Sequence, residues 1–407
     1  MERRDFIKVA GLGVTAGLGG WAWAGEDQPR IRRYRPLGRT GLQISDISLG
    51  SYGGLSPRVI ERALGLGINY FDTAPDYRGE GVVSEESLGK VFASPEKRDK
   101  VALATKMCAG RNYPAHWPRG TPVDQIVQGV EESLKRLRTD RIDVLLLHGV
   151  GELEDGDQER IKDSAALEAF ARLKKAGKAR FLGMGCHGPR QMVQTVEWAV
   201  DSGQYDLVQV AYNFFAGTDF SFRDQGLDRV IAKAGEKGVG VIAMKTRAGA
   251  GPEQVAGLES GAAPFSHACF KWVLANPHVS GLLVTVRNAE ELDEFAAASG
   301  LSYRPPDARV LAEYAAAYRQ GTCRIGCGDC LDHCPHGVAV PTLMRYRLYH
   351  EAYGAGESAR AAYAELPIAM QPNLCATCAA PCAAACAHGV DIRGMMVQTR
   401  ALLGSSA

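Results

Sequence analysis

Tyr70-Phe71-Asp72-Thr73-Ala74-Pro75-Asp76-Tyr77, followed by Ser84-Glu85-Glu86-Ser87-Leu88-Gly89, is the stretch on which the reading of this chain turns. An apolar run delivers a carboxylate at Asp72, and a tyrosine follows five residues later, just past a proline. A short apolar run bounded by turn residues fits a buried strand. Asp72 is therefore expected at a strand's C-terminal end, with Tyr77 folded back beside it. Alone, the pair has a plain explanation, an Asp capping its own turn and a surface tyrosine. Two later segments argue against it. Val101–Lys106 reads as a strand ending in lysine, and Ile142–His148 as a strand ending in histidine.

Outward from these three strands the same rhythm continues. Strand-like apolar runs fall at Ile47–Gly50, Asn69–Asp72, Val101–Lys106, Ile142–His148, Ala179–Gly185, Leu207–Ala211, Gly240–Met244 and Gly281–Val286. Amphipathic helical stretches such as Pro122–Leu137, Ser164–Ala176 and Gln225–Lys237 separate them. Eight strand–helix pairs over roughly 250 residues predict an α/β chain with a (β/α)8 TIM barrel. An open dinucleotide-binding sheet lacks its G-x-G-x-x-G after a first strand. Active sites of such barrels lie at the C-terminal strand ends, where Asp72, Lys106 and His148 are placed.

Asp72, Tyr77, Lys106 and His148 in this order resemble the tetrad of the aldo-keto reductases. The resemblance implies Tyr77 as general acid toward a small carbonyl substrate, Asp72 and Lys106 as its tuning pair, and His148 as the substrate-orienting group. A phenol has an ordinary pKa near ~10, and the Lys106 ammonium is expected to lower that of Tyr77. The resemblance also implies NADP(H) as cofactor. Gln209 stands where the family holds the nicotinamide amide, Lys245 ends the seventh strand, and Arg287 meets the adenosine phosphate. Departures cluster on this side: Gly183-Met184-Gly185-Cys186-His187 replaces the usual Gly-x-Ser, Thr246 a proline, and Phe295 an adenine-side asparagine. Cys108, Cys186 and Cys269 read as small barrel residues.

Eight of the eleven cysteines lie between Cys323 and Cys386, so the tail is a unit of its own. The first set is Cys323, Cys327, Cys330 and Cys334, followed by Pro335; the second is Cys375, Cys378, Cys382 and Cys386. Cys323, Cys330 and Cys334 recur 52 residues later, and Pro335-His336-Gly337-Val338 recurs as Ala387-His388-Gly389-Val390. This is an internal duplication. It resembles the two-cluster bacterial ferredoxins, whose pattern is C-x2-C-x2-C-x3-C-P, with one extra residue in one gap of each set. The resemblance implies two [4Fe–4S] clusters, with the fourth cysteine of each set serving the other set's cluster. Spacing also admits four disulfides, two structural zinc ions or a single cluster. His333, His336 and His388 read as surface or supporting groups rather than ligands.

The 407 residues carry 47 basic and 46 acidic side chains, a balance that gives no reason to expect a nucleic-acid or acidic-membrane partner. Met1–Ala24 reads as a leader. Arg3-Arg4-Asp5-Phe6-Ile7-Lys8 resembles the twin-arginine export signal, and Ala22-Trp23-Ala24 offers a small-x-small cleavage site. An uncleaved anchor is the alternative, although the apolar run is short for a bilayer. The expected organisation is a leader over 1–24, a barrel over 30–300 and a ferredoxin-like domain over 301–407. The expected protein is a periplasmic oxidoreductase that meets the membrane only during export, served by an electron-transfer partner protein. The competing class is an electron-transfer or redox-dependent binding protein whose barrel no longer reduces carbonyls. No substrate is legible in the loops Cys108–Thr121, Gly149–Asp163 and Thr246–Gly261.

Overall fold

A computed structural model describes residues 28–109, 116–151, 157–186, 191–217, 226–256, 264–318 and 322–404. The leader with Arg3 and Arg4 lies outside them, as do parts of the three loops just named. Eight parallel strands close into a barrel in chain order: Ile47–Gly50, Tyr70–Asp72, Ala102–Met107, Ile142–Val150, Ala179–Cys186, Leu207–Ala211, Gly240–Met244 and Gly281–Val284. The eighth returns to the first, with Leu282 beside Ile47 and Val284 beside Leu49. Boundaries differ from the sequence reading by one or two residues. The fourth strand runs past His148 to Val150, and the eighth stops at Val284 rather than Val286.

Side chains alternate across a strand with period two, and this arithmetic puts the polar residues at the mouth. Tyr70 lies two residues below Asp72, Ala102 and Ala104 below Lys106, Val144 and Leu146 below His148, and Leu207 below Gln209. All of the lower residues pack in one interior cluster with Ile242. The apolar column fills the barrel and leaves the polar end of each strand at the top.

The bottom is closed by a hairpin absent from the sequence reading, Tyr34–Pro36 paired antiparallel with Gln43–Ser45. It inserts Leu37 and Ile44, both fully buried, into the interior cluster. Its tip lies flush on the barrel: a Cβ at Gly38 would stand 2.3 Å from the Gly240 nitrogen, and Gly38 has φ +51.

Outside the barrel several helices bury a single stripe, while Phe265–Ala275 is buried on nearly all sides. Val123–Leu137 buries Ile126, Val130, Leu134 and Leu137, at the spacing of one helical face. Strands three to five are tied by buried Asp143, which accepts from Arg98 at 2.8 Å, Arg180 at 2.8 Å and the Leu103 amide at 3.0 Å. The helix Pro305–Tyr318 belongs to this shell, with the Tyr314 ring tilted against that of Phe265 at 4.7 Å.

Beyond it the tail builds a second core. Helices Val340–Glu351, Gly356–Glu365 and Ile392–Leu403 bury Leu343, Tyr346, Ala359, Tyr363 and Met396 together. Tyr52 and Tyr77 of the barrel pack against that core. No helix among the described residues is long and apolar enough to cross a membrane.

Candidate active site and cysteine sites

At the mouth, Lys106 Nζ donates to Asp72 Oδ1 at 2.5 Å and to the Thr73 carbonyl at 2.8 Å. Both side chains of the ion pair are almost completely buried. Gln209 Nε2 donates to the other carboxylate oxygen at 3.4 Å. The Gln209 side chain has room because a glycine, Gly185, faces it, its Cβ position 3.5 Å from Oε1. Tyr77 Oη stands 3.5 Å from His148 Nε2. The structure thus gathers Asp72, Tyr77, Lys106, His148 and Gln209 around one point.

The expected effect of Lys106 on Tyr77 is not what the geometry gives. The ammonium lies over the face of the ring, 4.5 Å from its centroid, and its charge is held by Asp72. Burial, then the charges of Asp72 and Asp76, push the Tyr77 phenol well above its ordinary value. Burial pushes Asp72 up as well, against the pull of Lys106.

Asp76, which the sequence reading passed over, is the source of part of this effect. Its carboxylate is 2% exposed. Oδ2 lies 3.6 Å from His148 Nδ1, and Oδ1 accepts from the Cys108 thiol at 3.5 Å. The signal was present in the quoted stretch: a carboxylate immediately before Tyr77, on a turn that must face the mouth if Tyr77 does. Glu85 was also passed over. It is buried at the start of helix Ser84–Phe92, bridging Thr105 Oγ1 at 2.6 Å and Arg136 Nε at 2.6 Å. That bridge fixes the helix against the lysine strand.

Lys245 and Arg287 do not join the tetrad. Lys245 Nζ meets the Tyr349 hydroxyl of the tail at 2.9 Å and lies over the Tyr349 and Tyr353 rings. Arg287 pairs with Glu291, Nη2 to Oε1 at 3.2 Å, and Arg247 reaches the same carboxylate at 3.5 Å. The cationic groups near the seventh and eighth strand ends are therefore engaged from within the chain. Lys245 is nearly buried by that contact, whereas the Arg287 side chain keeps 41% of its surface exposed.

The eight tail cysteines form two groups, and neither is a sequence set. Cys323, Cys327, Cys330 and Cys386 line one cavity; Cys334, Cys375, Cys378 and Cys382 line a second. Val340 and Ile392 line both, so the two cavities share a wall. None of the eleven cysteines is joined in a disulfide. Burial and the charge of neighbouring thiols push Cys330 up to about 12 and Cys375 to about 11.

The sequence repeat has a backbone counterpart. Gly337 N donates to the Cys334 carbonyl as Gly389 N does to Cys386, and Val340 N to Val338 as Ile392 N does to Val390. Gly337 and Gly389 have φ +66 and +65, the left-handed turn that lets each chain double back into its helix. Backbone amides also point at sulfur, Val338 N to Cys334 Sγ at 3.3 Å and Ala380 N to Cys378 Sγ at 3.4 Å.

Comparison with known proteins agrees with the barrel. The family model described as "Aldo/keto reductase family" matches residues 56–251. L-galactose dehydrogenase of Arabidopsis thaliana is 28% identical over 295 residues, 65% of this chain and 87% of the relative. The uncharacterized oxidoreductase YrpG of Bacillus subtilis is 30% identical over 297 residues, 64% of this chain and 88% of the relative. A solved structure described as "the putative aldo-keto reductase from Pseudomona aeruginosa" is 27% identical with a TM-score of 0.51, covering 70% of this chain and 98% of its own. The cysteine tail lies outside the residues that the family model matches. With its eight-stranded parallel barrel and these relatives, the chain is an oxidoreductase that belongs to the aldo/keto reductase family.

Proposed function

We propose that the protein reduces a small carbonyl compound at the barrel mouth, with Tyr77 as the proton donor. The observation that carries this is the convergence of Tyr77, His148, Lys106 and Asp72 at one end of the barrel. The raised affinity of Tyr77 for its proton keeps the donor loaded at neutral pH. His148, held in orientation by buried Asp76, presents Nε2 toward the same point. Lys106 and Asp72 fix the floor on which the phenol ring lies. A buried ion pair adds little net stability once its desolvation is counted, so this pair is read as positioning rather than as a fold element. Tyr77→Phe tests the assignment. Carbonyl reduction should fall by about 10²-fold or more, the usual contribution of a general acid. A fall of less than about tenfold would reject Tyr77.

The tail is read as a ferredoxin-like domain that holds two [4Fe–4S] clusters, one in each cavity. The donor chemistry fits: four thiols per cavity, with amides directed at sulfur as supporting bonds. Bound clusters would supply one-electron chemistry. Cys323 of the first cavity also lines a cleft of about 160 Å³ shared with Asn213, Phe215 and Ala248 at the barrel rim. The first cavity therefore faces the barrel, which supports electron delivery from a partner protein through the tail.

NADP(H) remains the donor that the family reading implies, with Gln209, Lys245 and Arg287 as its contacts. The engagement of Lys245 by Tyr349 of the tail ties that reading, at Lys245, to another arrangement of the tail. Export to the periplasm through the twin-arginine leader rests on the sequence alone. A pathway that carries folded proteins suits a chain whose tail encloses its sulfur sites.

A further inference from the structure

We infer that the tail and a pyridine dinucleotide compete for one seat at the barrel mouth, so that NADP(H) binds only when the tail has lifted away. This rests on reading Lys245 and Arg287 as nucleotide contacts. General barrel architecture agrees, since phosphate sites form in the loops after the seventh and eighth strands.

The tail crosses that region along a continuous track. At the seventh-strand loop, a Cβ at Gly249 would stand 3.2 Å from Leu348, and one at Gly251 would meet Ala352 at 4.0 Å. Tyr349 Oη then takes Lys245 Nζ at 2.9 Å, and the ammonium lies 4.4 Å from the Tyr349 ring centre. At the eighth-strand loop, the Cβ position of Gly354 is 3.2 Å from Arg287 Cγ. On the far side, a Cβ at Gly53 would be 2.7 Å from Ala355 Cβ, and Ser358 and Glu357 bond the Arg78 carbonyl and Glu80 amide. The turn between helices Val340–Glu351 and Gly356–Glu365 thus spans the mouth from the seventh and eighth strands to the first and second.

Its centre lies over the tetrad. The Tyr349 ring is 4.3 Å from that of Tyr52, which meets Tyr77 edge-on at 5.3 Å. A dinucleotide running from Tyr77 to Arg287 needs the space that Tyr349 and Gly354 fill. Its charges also have internal stand-ins: the Tyr349 phenol on Lys245, and the Glu291 carboxylate on Arg247 and Arg287. Of these contacts only that of Tyr349 with Lys245 belongs to the tail, since Glu291 sits on the barrel helix Ala289–Ala297, so the exchange is a competition between Tyr349 and a phosphate for Lys245 rather than an unfolding.

The consequence is quantitative. Apparent affinity equals intrinsic affinity multiplied by the open fraction, so a tail open about one hundredth of the time weakens binding about 100-fold. The test uses the full, cluster-loaded chain under argon. NADPH is titrated by fluorescence into wild type, Tyr349→Ala and Glu357→Gln, which loosens the opposite end of the track. Hydrogen exchange over residues 340–365 is followed in wild type with and without saturating NADPH. Binding is expected to be at least tenfold tighter in Tyr349→Ala and tighter in Glu357→Gln, and saturating NADPH should speed exchange over 340–365. Equal binding in all three proteins with unchanged exchange would overturn the shared seat. So would the absence of binding to every variant. Carbonyl reduction driven by two equivalents of reduced viologen, the two electrons entering through the clusters and the two protons coming from Tyr77 and solvent, keeps the two readings apart, because its dependence on Tyr77 tests the tetrad without any nucleotide.

Discussion

Tyr77 has the Lys106 ammonium over its ring, yet burial and the carboxylates of Asp72 and Asp76 set the direction of its pKa. Asp72 absorbs the Lys106 ammonium, and Asp76 adds a second carboxylate beside His148. A phenol whose pKa is raised stays protonated as pH rises, so the alkaline limb of kcat/KM for reduction should lie above about 10, the ordinary phenol value. Removing one of the raising charges must move that limb down. Asp76→Asn is therefore expected to shift it to lower pH while Asp72 and Lys106 stay in place, and a pH–rate profile of both proteins checks this. An unmoved limb would mean that Asp76 does not act on Tyr77. Asp72, Lys106 and His148 were legible because two-residue alternation forces each to crown an apolar column. The titration of Tyr77 was not legible, since it depends on which atom holds the lysine's charge. That is a matter of ångströms across three strands.

The tail shows the same division between elements. Its two repeats were legible because residues recur after each cysteine set, and the matching glycine turns give that recurrence a backbone cause. The crosswise grouping of cysteines came from the ferredoxin resemblance, and spacing within a set carries no sign of it. Each fourth cysteine follows its set across a short helical turn, Cys386 after Pro381–Ala384, and so leaves the cavity of its neighbours. Cys386→Ser should accordingly perturb the site of Cys323, Cys327 and Cys330, and Cys334→Ser the site of Cys375, Cys378 and Cys382. Iron counts near half of wild type in each single variant, with two different electron paramagnetic resonance signals surviving, are the expected result. The same surviving signal in both variants would reject the exchange. The plug hairpin was missed for a simpler reason: strands of three residues, Tyr34–Pro36 and Gln43–Ser45, carry too little periodicity to register.

Across the whole molecule, the barrel was legible and the seat of the tail was not. Eight strand–helix repeats declare a barrel locally, one unit at a time. The contact of Tyr349 with Lys245, or of Ala355 with Gly53, joins residues far apart in sequence and leaves no local mark. The leader stands apart from both, since its reading depends on a motif alone. Replacing Arg3 and Arg4 together with Lys should leave the protein in the cytoplasm, as cell fractionation would show. Normal export of that variant would remove the signal assignment.

The crossed cysteine sets also fix the order in which the two sites are completed during synthesis. Synthesis runs from the N-terminus, and the second cavity has all four of its sulfurs once Cys382 has been added. The first cavity, although three of its cysteines appear much earlier, waits for Cys386. The site that faces the barrel is thus the last to gain its full set, after the barrel strands and both helices across the mouth have been synthesised. Until then, Cys323, Cys327 and Cys330 are an incomplete trio beside a finished barrel. A nascent chain that stops short of Cys386 would carry a complete outer site and an open inner one.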